Sequence, residues 1–151
     1  MFFASPLILV YIILKVLQKE KWRSTQKILA GIDLNDFEVF ENVQIQTSSY
    51  SHFKVISGIP HKGRLLVNNS RFIVLTDKIP SFLTYNSTLP LDINSNQKDV
   101  QFEMKICNWK AILLTLKSQS SGIGFFKREL LIETKDSNDF ERLTKSLNNW
   151  C

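Results

Sequence analysis

The sequence has few of the residues that build metal centres and nucleophilic active sites. Its 151 residues include only two histidines and two cysteines. Cys107 and Cys151 form no zinc-ligand spacing, and His52 and His61 form no H-E-x-x-H pattern. A G-x-S-x-G nucleophile elbow and a phosphate-binding P-loop are also missing from the sequence. We therefore predict neither enzymatic activity nor a bound metal or other cofactor.

The two cysteines give little information about the redox compartment. Cys107 falls in an apolar, strand-like segment, which predicts a buried and inert thiol. Cys151 is the last residue, where we expect an exposed side chain. A disulfide between the two stays open as an alternative, although a cytosolic domain would keep both reduced.

Charge is missing from the beginning of the chain. No side chain from Phe2 to Leu14 is charged, and Lys15 is the single charge within residues 1–17. Such a helix would be roughly 25 Å long, a little less than a ~30 Å hydrocarbon core. A signal peptide would need a positive n-region and a cleavage site of small residues, and both are absent. The sequence predicts an uncleaved transmembrane anchor over residues 1–17, with a signal peptide and a buried helix as alternatives.

A basic cluster follows this apolar run directly. Its five cations face one acid, Glu20, whereas the rest of the chain is almost neutral and the whole chain carries +5. Each cation beside an anionic membrane is worth about 1 kcal/mol, and cations are retained on the cytoplasmic side. We therefore predict contact with anionic lipids, the N-terminus outside and the C-terminal domain in the cytoplasm. A nearly neutral domain argues against nucleic-acid binding. The cations are Lys15, Lys19, Lys21, Arg23 and Lys27.

The rest of the chain divides into a helical linker and one domain. Residues 18–34 form a basic juxtamembrane helix or linker, since Gln18–Ala30 lacks glycine and proline and Gly31 is a natural helix end. Residues 35–151 contain alternating apolar segments that predict about seven or eight short antiparallel strands. These segments are 37–45, 51–57, 64–67, 71–76, 100–106, 112–116 and 130–134, with a weaker one at 82–85.

The chain closes with an amphipathic helix. Residues 136–138 are all good N-cap candidates, and Asn138 with Glu141 has capping-box spacing. Four apolar residues recur at helical spacing and predict one buried stripe. The stripe consists of Phe140, Leu143, Leu147 and Trp150.

One segment has the pattern of a known family. Residues 63–76 read GRLLVNNSRFIVLT, which is a glycine, a strand, a polar turn, an arginine and a second strand. This pattern resembles the GRAM and bacterial PH-like signature, with Asn68 in place of the usual turn threonine. Residues 89–93 and 132–143 are similar to the segments that follow in such domains. Over residues 37–150, the resemblance implies an α+β fold, a PH-like split β-barrel of about seven antiparallel strands capped by a C-terminal helix.

The resemblance implies a binding module for lipids or peptides. The loop at residues 46–52, where phosphoinositide binding would need a basic cluster, contains no lysine or arginine. Other candidates for membrane-surface contact are two basic–aromatic segments. In the second segment, the alternative is that one phenylalanine is core and the cations only solvate a hairpin. The candidates are Lys62 and Arg64, and then Phe125, Phe126, Lys127 and Arg128.

Two functional hypotheses follow from these features. The first is a membrane-anchored PH/GRAM-like module on the cytoplasmic face, which binds lipid headgroups or a protein or peptide partner. The second is a non-catalytic structural subunit of a membrane protein complex. An exposed apolar patch would favour the second hypothesis, and a concave basic surface beside the membrane would favour the first.

Overall fold

The computed structural model describes residues 6–51, 54–57, 60–76, 90–96, 100–119 and 125–150. The weak strand prediction at 82–85 lies outside these residues, as does Cys151. Within them the chain forms two α-helices, a 3-10 turn and eight strands. The elements are α1 (Pro6–Ala30), the 3-10 turn (Leu34–Asp36), β1 (Glu38–Ser51), β2 (Lys54–Ser57), β3 (His61–Val67), β4 (Arg71–Thr76), β5 (Leu91–Asn94), β6 (Val100–Asn108), β7 (Ala111–Gln119), β8 (Phe125–Glu133) and α2 (Ser137–Asn148).

The strands form one antiparallel sheet, which confirms the predicted α+β class with a C-terminal helix. The strand order is β5-β4-β3-β1-β8-β7-β6, and β2 pairs with the last residues of β1. The central strand β1 has 14 residues. Its first part pairs with β3 and its second part pairs with β8. The long β1 therefore joins the two halves of the sheet.

The inner face of the sheet holds the main core, and α2 covers it. Leu143 and Leu147 of α2 are fully buried within this core, as the stripe predicts. The helix begins at Ser137 because the Asp136 carboxylate accepts a hydrogen bond from the Asp139 N–H at 2.9 Å. The predicted capping box at Asn138 is wrong, since Asn138 already lies inside the helix.

A smaller apolar cluster lies on the outer face of the sheet. Leu66, Ile73 and Leu75 are buried there, and Ile28 and Leu29 of α1 pack against them. The helix then ends at Ala30, where the Gly31 N–H donates to the carbonyls of Lys27 and Ile28, which confirms the predicted helix end. The last turns of α1 are thus part of the packing of the domain.

The N-terminal helix differs from the predicted anchor. Within the ranges described, no helix combines the length and the apolarity needed to cross a membrane. The uncharged part of α1 runs from Pro6 to Leu14, about 14 Å of helix, against a core of ~30 Å. Lys15, Lys19 and Glu20 follow in the same unbroken helix. The transmembrane prediction for residues 1–17 is therefore corrected for the described helix; residues 1–5 lie outside it.

The predicted burial of Cys107 is also wrong. Cys107 is exposed on β6, the last strand of the sheet order. Along β6 the side chains alternate between partly buried and exposed up to Met104, and the exposed side carries Gln101, Glu103 and Lys105. Cys107 lies at a register shift between Ile106 and Asn108, where the regular pairing of β6 with β7 is interrupted, and its side chain is exposed there.

Candidate functional site

Within the described part of the chain, the first half of α1 has the largest run of exposed apolar side chains. We call residues 7–14 the apolar tip. Seven of its side chains are between 49% and 78% exposed, and they are Leu7, Ile8, Leu9, Val10, Tyr11, Ile12 and Ile13. Each Å² of apolar surface removed from water is worth roughly 25 cal/mol, so a contiguous exposed patch marks a surface that another phase or molecule covers.

Cations follow the apolar tip along α1, and the exposed ones recur every four residues on one face of the helix. Lys15, Lys19, Arg23 and Lys27 are exposed, and Lys21 is half-buried. The Lys15 ammonium lies 5.6 Å from the centre of the Tyr11 ring, so this cation lies against the tip. The helix therefore presents an apolar segment and then a charged one along its axis.

Two of the predicted basic groups meet in the structure. Lys21 of α1 lies close enough to Arg128 of β8 for their charges to repel. Burial lowers the pKa of the Lys21 ammonium, and the charge of Arg128 lowers it further. Burial also lowers the pKa of the Arg128 guanidinium. The fold thus brings two cations from distant segments, Lys21 and Arg128, near each other, a neighbourhood that separate sequence segments do not reveal.

The other predicted site residues do not join this group. Lys127 forms an ion pair with Glu129 at 2.5 Å, and Lys62 is exposed on β3. Phe125 and Phe126 begin β8, but their side chains lie outside the described part of the structure. The basic–aromatic segment at 125–128 therefore contributes Arg128 to the α1 junction.

Arg64 lies in a different place, an open cleft of about 470 Å³ between β1 and α2. Arg64 is 3.6 Å from Glu41, and Arg142 on the opposite wall is 3.2 Å from Asp139. Lys135 completes the charged lining. Because cations and anions alternate around this cleft, it is not a basic surface of the kind that the sequence predicts for headgroups.

A second cavity lies where the two edges of the sheet fail to meet. We call it the seam cavity; it holds about 140 Å³ between β5, β6 and the end of α2. The Trp150 ring lies 5.5 Å from Phe102 and 6.4 Å from Phe72, and its Nε1–H donates to the Asn68 carbonyl at 2.9 Å. The lining is Asn69, Ile93, Asn94, Ser95, Val100, Phe102, Asn149 and Trp150. Sequence reasoning missed this cavity because the approach of two sheet edges, rather than a motif, creates it.

The described residues contain no group of three or more His, Cys, Asp or Glu side chains that could hold a metal ion. Comparison with known proteins finds neither a protein-family model nor a curated protein that matches the sequence. Function therefore has to be inferred from three features: the apolar tip, the cations beside it and the seam cavity.

Proposed function

We propose that the protein is a non-catalytic, PH/GRAM-like binding module held on the cytoplasmic face of a membrane. The observation that carries the proposal is the apolar tip, whose side chains are exposed and are followed at once by cations. Lipid is the occupant that satisfies both parts, since acyl chains cover the apolar side chains and anionic headgroups attract the cations.

The dimensions of the tip favour insertion into one leaflet without crossing. Residues 7–14 make about 12 Å of helix, which is close to half of a ~30 Å hydrocarbon core. At that depth Lys15 and Lys19 reach the headgroups, because a lysine stem can lie along apolar surface while its ammonium stays in water. The positive-inside rule favours the cytoplasmic leaflet.

The domain supports binding rather than catalysis. An antiparallel sheet with a C-terminal helix suits the PH-like class that residues 63–76 resemble. The seam cavity is small, and the lining residues that the structure describes include no titratable side chain. We therefore expect the module to bind its ligand on the surface and at the edges of the sheet.

Vesicle flotation of the full chain tests the proposal. The wild type should float with vesicles of phosphatidylcholine and phosphatidylglycerol, and the double variant Leu9→Lys/Ile12→Lys should stay at the bottom. Both side chains are exposed, at 57% and 51%, so the fold should survive. Leu34→Lys, at an exposed leucine away from the tip, is the control and should float. Flotation of the double variant at the wild-type level would contradict the proposal.

Deleting residues 1–30 is a poorer experiment. That deletion removes Ile28 and Leu29, which cover the outer cluster of Leu66, Ile73 and Leu75. The truncated domain would expose new apolar surface and bind vesicles for the wrong reason. Point variants within the apolar tip avoid this artefact.

A structural subunit of a membrane complex is the second candidate. It is favoured by Ile106 near the end of β6 and Trp109 in the turn that follows, which are 58% and 65% exposed. Under this hypothesis, the full chain copurifies in fixed ratio with an integral membrane protein, and the Leu9→Lys/Ile12→Lys variant loses that partner. A chain that floats with protein-free vesicles and copurifies with nothing would exclude it.

A further inference from the structure

We propose that the outer edge of β6 and the seam cavity together bind an extended segment of a partner protein. In this arrangement the segment's backbone pairs with β6, and one of its apolar side chains enters the cavity. The inference adds a partner to the module proposed above, and it does not depend on lipid binding by α1.

The first support is the position of β6 in the sheet. It has nine residues and pairs with β7, and among the described residues it is the last strand in the order. The opposite edge, β5, has only four residues. An edge strand presents backbone N–H and C=O groups that another extended chain can pair with. At roughly 3.4 Å per residue, β6 offers a template of about 30 Å.

The second support is an apolar stripe along β6. Val100, Phe102 and Met104 are partly buried against the core, and Ile106 continues the same side of the strand at 58% exposure. Their spacing of two residues is the side-chain period of any extended segment. A segment paired with β6 would therefore place every second side chain beside this stripe, which a helix or a lipid chain would not match.

The third support is the seam cavity at the Val100 end of the stripe. Phe102 and Trp150 form its apolar wall, and its volume has room for one aliphatic side chain. The polar rim is uncharged and carries amides and a hydroxyl, which both donate and accept hydrogen bonds as a peptide backbone requires. The rim residues are Asn69, Asn94, Ser95 and Asn149.

The same lining argues for a peptide over the other occupants. The lining residues in the described part carry no cation that would hold a lipid phosphate. A second copy of this chain fits poorly through β6, because its own Phe102 and Met104 already pack against its own core. A neutral, extended segment with alternating apolar residues satisfies both the edge and the cavity.

The test is a selection of phage-displayed random nine-residue peptides on the full chain, kept in dodecyl maltoside so that the apolar tip is covered. We expect enrichment of sequences with apolar residues at alternate positions. Binding of the synthesised peptides, measured by fluorescence anisotropy, should weaken at least about 10-fold for Ile106→Lys, which corresponds to ~1.4 kcal/mol. Cys107→Lys adds the same charge one residue away, at an exposed position outside the apolar stripe, and should change binding by less than about twofold.

Two further readouts separate strand pairing from general apolar contact. Hydrogen exchange should slow at the outward amides of β6 when peptide binds. Ser95→Trp, which fills the cavity and leaves β6 intact, should also weaken binding. No enrichment, or equal binding by the wild type and Ile106→Lys, would overturn the proposal.

The remaining occupants have their own signatures. A dimer that Ile106→Lys abolishes would assign the edge to a second copy, and loss of vesicle flotation in the same variant would assign it to lipid. Either result would overturn the peptide site. Flotation of Ile106→Lys at the wild-type level, with peptide binding lost, supports it and leaves the membrane proposal to be judged by the apolar tip alone.

Discussion

The two helices use their apolar residues in opposite ways. In α2 the apolar residues recur on one stripe, and Leu143 and Leu147 are completely buried against the sheet. In α1 the first eight apolar residues surround the helix, and Leu7–Ile13 are about half exposed or more. A stripe has a partner within its own domain. A helix that is apolar all round needs a partner that the domain does not supply.

The comparison also holds within α1. Its last turns pack Ile28 and Leu29 onto the outer cluster of the sheet, while its first turns project past it. One continuous helix thus connects a packed end with an exposed end. Under the proposed function, this arrangement would couple the position of the apolar tip in the lipid to the domain without a flexible linker.

The largest expected difference lies between buried and exposed apolar residues. Leu147→Ala should lower the free energy of unfolding by about 2–5 kcal/mol, because it leaves a cavity in the core. Ile12→Ala should change it by less than about 0.5 kcal/mol, because Ile12 is 51% exposed. Urea denaturation in dodecyl maltoside measures both. Equal destabilisation by the two variants would break the comparison.

A smaller effect is expected at the packed end of α1. Leu29→Ala should lower the free energy of unfolding by about 1–2 kcal/mol, since Leu29 is only partly buried on the outer cluster. Leu34→Ala, at an exposed leucine just beyond the helix, is the matched control. Hydrogen exchange should show faster opening of residues 25–30 in Leu29→Ala. An unchanged exchange pattern would mean that α1 does not depend on the sheet.

The beginning of α2 offers the next test. Asp136→Ala should lower the free energy of unfolding by about 1 kcal/mol because it removes the N-cap. Asp136→Asn should keep most of the stability, because asparagine is also a good N-cap residue. Asp33 caps only the three-residue turn at Leu34–Asp36, so Asp33→Ala should lower the free energy of unfolding by less than Asp136→Ala does. The thermal unfolding temperatures of the three variants test this order. A loss for Asp33→Ala as large as that for Asp136→Ala would contradict this order.

The smallest effect concerns Lys21 and has a defined pH dependence. Its pKa is lowered from 10.5 by burial and by Arg128, so the charged form is disfavoured in the folded protein. As pH rises through the folded pKa toward 10.5, the folded state releases its proton first. The free energy of unfolding should therefore increase as the pH rises over that window. It should be lower at neutral pH, where the ammonium is charged in both the folded and the unfolded state.

Lys21→Met removes the buried charge. Its urea midpoint should lack the rise below pH 10.5 that Lys21 contributes. Lys19→Met, at an exposed lysine of the same helix, serves as control. Parallel pH curves for Lys21→Met and the wild type would show that the junction with Arg128 does not strain the fold.

Local patterns determined a large part of this protein. The alternation in β6 and β7, the stripe of α2 and the end of α1 just before Gly31 all follow from side-chain periodicity and backbone preference. The charge break at Lys15 likewise limited the uncharged part of α1 to residues 6–14. These features depend on residues a few positions apart, which a sequence displays directly.

The tertiary structure alone decided which of these elements meet. Lys21 lies beside Arg128, and Trp150 reaches Phe102, because the sheet brings together strands far apart in the chain. The seam cavity and the exposure of Cys107 depend on which strand lies at the edge of the sheet. Pairing between distant strands is set by the packing of the whole core, so neither periodicity nor composition contains it. The apolar tip combines the two: its apolarity is written in the sequence, and its exposure is a result of where the helix leaves the sheet.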